Sequence, residues 1–128
     1  MKNVEVLNNL NNLKRYIARE VENNRSFVNT SAKFKIKKNL KTLNNVYEIY
    51  NECMQEIFTK YDLQPNADGS ISIAKDNPNA DNIQKELQDL LNVQTEVVIE
   101  RISDKDFVED CLIGDELLLE FMTDESEG

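Results

Sequence analysis

Between positions 36 and 61, eight apolar or aromatic residues fall at alternating steps of four and three: Ile36, Leu40, Leu43, Tyr47, Tyr50, Met54, Ile57 and Tyr61. Close to four heptads without a miss require a long helix pressed along one face against another helix. A partner lies just upstream. Val6, Leu10, Leu13 and Ile17 repeat the same step, with Leu7 and Val21 widening the stripe, so a first helix is predicted from about Asn3 to Asn23. Asn23 and Asn24 suit a helix stop, because Asn tolerates the left-handed conformation. Arg25 to Asn29 then form a turn plugged from beneath by Phe27 and Val28, and Thr30 or Ser31 caps the second helix. That helix is predicted to run to Tyr61 or Leu63. At ~1.5 Å per residue its ~30 residues span ~45 Å. The first helix covers only part of that length, so one end of the second must be covered by the rest of the chain or by a second copy. Tyr47, Tyr50 and Tyr61 make the stripe bulky, the spine of a monomer's core rather than a dimer zipper.

Beyond the hairpin the pattern shortens. Residues 64–79 form a loop, with a turn at Asp68–Gly69, a very short alternating strand at 70–73 and a second turn around Pro78. A third helix is predicted from Ala80 to Leu91 on Ile83, Leu87 and Leu90/Leu91. Val93, Thr95, Val97 and Ile99 alternate with polar residues as a half-buried strand would, predicted to pair with 70–74 as a ribbon. Ser103 followed by Asp106 resembles a capping box. Phe107 to Ile113 packs as a short helix or turn that Gly114 breaks. A final helix follows from Asp115 to Met122, offering Leu117, Leu118, Phe121 and Met122 to the core. The predicted fold class is mostly α with a minor α+β part: a long antiparallel helical hairpin with a small helix–strand C-terminal half packed on it. A single domain covers 1–128, divided into hairpin (1–63), helix–strand half (64–122) and a fraying acidic tail (123–128).

The 128 residues are enough for one core. No apolar run approaches the roughly 18–20 residues of a membrane helix, and MKNVEVLNNL lacks the apolar stretch of a secretory signal. A cytosolic setting is expected. The chain has no histidine, which removes the commonest general base and metal ligand. Cys53 and Cys111 read as two reduced thiols of the core. Three glycines exclude the Gly-rich phosphate loops. Asn is used 17 times and Lys outnumbers Arg 11 to 4, the codon bias of an AT-rich genome.

Charge divides the chain. Residues 1–60 carry 11 basic and 6 acidic side chains, net +5; residues 61–128 carry 4 and 18, net −14. Two clusters are candidate contact surfaces. Lys33, Lys35, Lys37, Lys38 and Lys41 surround Phe34 and Ile36, as a nucleic-acid or acidic-protein contact would, or as a solvated helix face paired with the acidic half. The whole-chain charge of −9 opposes direct nucleic-acid binding. The acidic stretch holds Asp104, Asp106, Glu109, Asp110, Asp115 and Glu116, a surface suited to steering toward a basic cleft on another protein. A calcium loop at Asp104, Asp106 and Asp110 lacks its glycine and carries Asp115 at the closing position. No catalytic residue, cofactor or metal site is predicted.

The order of features carries a resemblance. FKIKKNLKTL, YEIYNE, a KYD-type helix end, a DGSI turn, a KELQDLLN helix, VVIERI and an acidic end reaching LLLEFM together resemble a family of small uncharacterised proteins of tailed phages and prophages of low-GC bacteria. The likeness spans nearly the whole chain. It implies a phage setting in the host cytoplasm and brings no catalytic residues. The expected function is non-enzymatic protein binding, most concretely as a counter-defence or host-takeover inhibitor that sets its acidic surface against a nucleic-acid-handling protein. The alternative is an accessory or chaperone of head or tail morphogenesis. The expected partner is a host or phage protein, with no membrane contact, and the chain is expected to be a monomer or weak homodimer.

Overall fold

Two long helices joined by a short turn dominate the computed structural model, which describes residues 1–124. They are α1 (Asn3–Asn23) and α2 (Thr30–Lys60), and they pack against each other as the predicted hairpin. Asn24 ends α1 in the left-handed conformation (φ 52°). Its N–H bonds to Val21 O and that of Arg25 to Glu20 O, a Schellman closure. α2 ends the same way at Asp62 (φ 54°), with Leu63 N–H on Phe58 O. The N-cap of α2 is Asn29, whose side chain accepts the Ala32 N–H at 2.9 Å, rather than Thr30 or Ser31.

The core follows both stripes with a shift. On α1, Val6, Leu10, Leu13 and Tyr16 are buried while Val21 lies outside. On α2 the buried seam is Ala32, Ile36, Asn39 and Leu43; Leu40 is half-buried and Tyr47 stays at the surface, with the Lys14 ammonium 5.7 Å from its ring centre. A 3.5-residue repeat drifts by about 20° per heptad on a straight helix. At the far end of α2 the drift leaves Ile57 and Tyr61 half-buried and brings Phe58 inside instead. There α3 (Ala80–Leu91) packs on α2 with Ile83 buried and Glu86 paired to Lys60 at 2.8 Å. The chain itself thus covers the end of α2 that α1 does not reach.

The predicted ribbon does not form. Residues 70–74 belong to the exposed loop, held by Asp68 accepting from the Ser70 N–H (3.0 Å) and hydroxyl (2.6 Å) around Gly69, whose φ is +86°. Along 93–101, Thr95, Val97 and Ile99 are half-buried as the alternation required while Val93 is 47% exposed, and the run finds other partners. Met1–Asn3 pair with 93–95 around an isolated antiparallel bridge, Lys2 to Gln94. Further on, the Asn39 amide on α2 accepts the Glu100 N–H at 2.8 Å and donates to the Glu100 carbonyl at 2.9 Å. A buried side chain thereby supplies both bonds that a neighbouring strand would supply.

The remaining chain closes on itself. β1 (Ile102–Ser103) pairs in parallel with β2 (Thr123–Asp124), so Thr123 and Asp124 are tied down rather than frayed. Residues 125–128 of the predicted tail lie outside the described residues. The capping box at Ser103 is present on the 3₁₀ turn Asp104–Asp106. Phe107 bridges to Val28. Gly114 does not break the chain but sits within α4 (Ile113–Leu117), and a 3₁₀ turn at Glu120–Met122 replaces the rest of the predicted final helix. Leu119 and Met122 join the core cluster of the hairpin. No helix among the described residues is long and apolar enough to cross a membrane.

Asn39→Ala leaves both Glu100 backbone groups without their partner. It is expected to lower unfolding free energy by about 2–3 kcal/mol, and Asn39→Leu, which restores volume but no hydrogen bond, by nearly as much. Urea denaturation of the two variants checks this; a loss in Asn39→Ala below about 1 kcal/mol would show the clamp to be dispensable.

Candidate protein-docking groove

The orientation of α4 is set by a charge. Asp115 is the buried residue of this helix, and Arg19 of α1 donates Nε–H to its Oδ1 at 3.0 Å. Residues two positions away on a helix lie on the opposite face, so drawing Asp115 inward turns Ile113 and Leu117 outward. They are 75% and 56% exposed, beside Leu112 at 61%. This reverses the expectation that Leu117 would enter the core. With Phe107 they floor a groove of about 370 Å³, rimmed by the carboxylates of Asp104, Glu116 and Glu120. Exposed apolar side chains collected in one place and ringed by polar groups mark interaction sites.

The acidic candidates divide between fold and groove. Asp104 and Glu116 lie on the rim, and Glu120 joins them unforeseen. Glu109 is exposed. Asp106, Asp110 and Asp115 are not brought to the groove. Asp110 receives a two-pronged bond from the Arg25 guanidinium at 2.7 and 2.8 Å. Asp106 accepts the Ser103 N–H and the Asn29 side-chain N–H, each at 2.8 Å, and so ties the cap of α2 to the C-terminal half. These bonds hold the Asp106 carboxyl below the usual range, the Ser103 backbone first, and the Arg25 bond does the same for Asp110.

The lysine cluster divides in the same way. Lys33 pairs with the buried Glu20, Lys35 donates to the Arg101 carbonyl at 2.9 Å, and Lys38 pairs with Glu100 at 2.9 Å. Lys37 and Lys41 stand outside with Phe34. The sequence reading missed the buried network behind Lys33. Tyr16 and Ser26 hydroxyls donate to Glu20 Oε2 at 2.8 and 2.7 Å, and the Phe27 N–H donates to Tyr16. Burial raises the Tyr16 phenol above its ordinary pKa. The network closes the hairpin turn from within. Its signal in the sequence is Glu20 one turn beyond Tyr16, on the apolar side of α1.

Both cysteines are half-buried free thiols. Burial, then the neighbouring Glu116 and Asp115, push the Cys111 thiol up to about 11, so it is protonated and a poor nucleophile at neutral pH. Among the described residues no group of three His, Cys, Asp or Glu is placed to hold a metal ion. The chain matches no protein-family model, no curated protein and no solved structure. The groove's geometry therefore carries the functional reading.

A carboxylate whose folded-state pKa is depressed contributes stability above its unfolded pKa and loses it as pH falls through the folded value. Asp106→Ala is expected to cost about 1 kcal/mol at neutral pH, the scale of a lost cap. The gap from wild type should hold down to about pH 4 and close below it as the wild-type carboxylate protonates. Denaturation midpoints measured from neutral pH to about pH 3 read this directly; a gap that widens in acid would contradict it.

Proposed function

We propose that this protein works without catalysis, by binding another protein through the acid-rimmed groove. In its concrete form it is a phage counter-defence or host-takeover inhibitor that occupies a basic, nucleic-acid-handling surface in the host cytoplasm. The observation that carries the reading is the groove itself: Ile113 and Leu117 exposed between Asp104, Glu116 and Glu120. Apolar anchors in a water-excluding pocket supply most binding energy, and surrounding charge supplies approach and register. A partner that fits presents one or two apolar side chains flanked by Lys or Arg. The net charge of −9 adds long-range attraction for such a surface. The phage setting rests on the resemblance in the order of sequence segments.

The test is affinity capture from infected host lysate with wild type, Leu117→Glu and Glu116→Lys/Glu120→Lys. Leu117 and Glu120 are exposed positions, where substitution changes stability by only about ±0.5 kcal/mol; Glu116 is half-buried, so the folding of its variant is checked by thermal denaturation. The expected captured protein is a nuclease or other nucleic-acid-handling protein, retained less as salt rises. Each variant is expected to weaken its affinity at least about tenfold, the equivalent of about 1.4 kcal/mol. Capture of a head or tail protein instead, or equal capture by all three chains, would overturn the reading; a virion protein would favour morphogenesis.

A further inference from the structure

α2 carries a second regular stripe on the face opposite its core. Phe34, Lys38, Lys41, Asn45, Glu48, Glu52, Gln55 and Thr59 follow the same four–three step, and every one is exposed. Apart from Lys38, which pairs with Glu100, these side chains carry no ion pair to another element among the described residues. Its charge is graded along the helix. Lys37, Lys38 and Lys41 occupy the half nearer the N-terminus, around Phe34, which is 69% exposed. Glu48, Glu52 and Glu56 occupy the other half, around Ile49, 62% exposed. Among the described residues no ion pair reaches Lys37, Lys41, Glu48, Glu52 or Glu56.

Local helix energetics do not account for this order. Glu48, Glu52 and Glu56 are like charges at steps of four, as are Lys37 and Lys41, and such pairs are unfavourable within one helix. The arrangement is nonetheless symmetric about a neutral centre. Lys38 lies seven residues before Asn45, and Glu52 lies seven after it. Lys41 and Ile49 lie four residues to either side, and Phe34 and Glu56 eleven.

We propose that this face binds a second copy of the chain, with two α2 helices antiparallel about a two-fold axis near Asn45. In an isologous contact residue i meets j while j meets i. In this register antiparallel alignment sets Lys38 of each copy opposite Glu52 of the other and lays the lysine-bearing half of each helix beside the glutamate-bearing half of its partner, whereas parallel alignment sets like against like. Phe34 and Ile49 are the apolar anchors, and the Lys41 methylene stem covers the Ile49 of the other copy. Lys38 turns from Glu100 of its own chain, or bridges it, on pairing. The site is distinct from the acid-rimmed groove, and the proposal does not rest on the proposed function.

Sedimentation velocity of the full chain at high protein concentration tests this. Wild type is expected to dimerise at ~0.1 M salt and to dissociate at least about tenfold more readily at ~1 M, where the Debye length falls from ~10 Å to ~3 Å. Lys37→Glu/Lys38→Glu/Lys41→Glu and Glu48→Lys/Glu52→Lys/Glu56→Lys each abolish the homodimer, and an equimolar mixture of the two forms a heterodimer. A chain carrying all six substitutions inverts the gradient and dimerises again; it keeps the test open if either triple variant misfolds. A wild type that remains monomeric at low salt, a dimer untouched by either triple variant, or a six-fold variant that stays folded and monomeric would overturn the proposal.

Discussion

The side chain of Asn39 holds the two halves of this protein together. It sits fully buried in the seam of α2 and grips the backbone of Glu100 at both N–H and C=O. An amide is the one neutral side chain with a donor and an acceptor spaced to mimic a strand edge, and burying it costs free energy unless both ends are used. The same amide nitrogen reaches the Met122 sulfur at 3.4 Å, so the clamp touches both the 97–101 run and the returning segment before β2. Lys35 on Arg101 and Lys38 on Glu100 extend the attachment at the surface. A helix thereby replaces the sheet partner that an alternating segment ordinarily requires.

Charge in this chain is first a means of assembly. The basic hairpin and the acidic C-terminal half meet through Arg19–Asp115, Arg25–Asp110 and Lys38–Glu100. The exposed pairs Arg25–Asp110 and Lys38–Glu100 contribute little net stability; their effect is orientation. The clearest case is α4, a helix of five residues with too little surface to choose its own face. Arg19 draws Asp115 inward, and the apolar residues go out. The outward turn of Ile113 and Leu117 into the groove thus follows from the pairing of Arg19 with the buried Asp115.

Much of the hairpin was legible from residue order. The four–three steps located α1 and α2 within a residue or two, Asn24 ended the first helix as its tolerance of positive φ suggested, and Ser103 formed its capping box. What failed was partner choice. Thr95, Val97 and Ile99 are half-buried as expected, but alternation says nothing about which element lies opposite, and Asn39 reads as one more polar residue between lysines. The heptad stripe misplaced Phe58 because a repeat of 3.5 drifts on a straight helix and because α3, not α1, covers that end. Of the acidic candidates, the fold brings Asp104 and Glu116 to the groove and spends Asp106, Asp110 and Asp115 elsewhere; the five were indistinguishable in sequence, since all are carboxylates in one acidic run.

The sequence by itself determined the helices, their caps, the order of apolar faces and the opposing charge of the two halves, because each depends on neighbours within about four residues. The tertiary structure alone decided which carboxylates are spent on the hairpin, which way α4 turns, and which face of α2 is left uncovered. These are contests between groups some sixty to a hundred residues apart, such as Asn39 with Glu100 and Arg19 with Asp115, and their outcome depends on distances that only the packed chain defines.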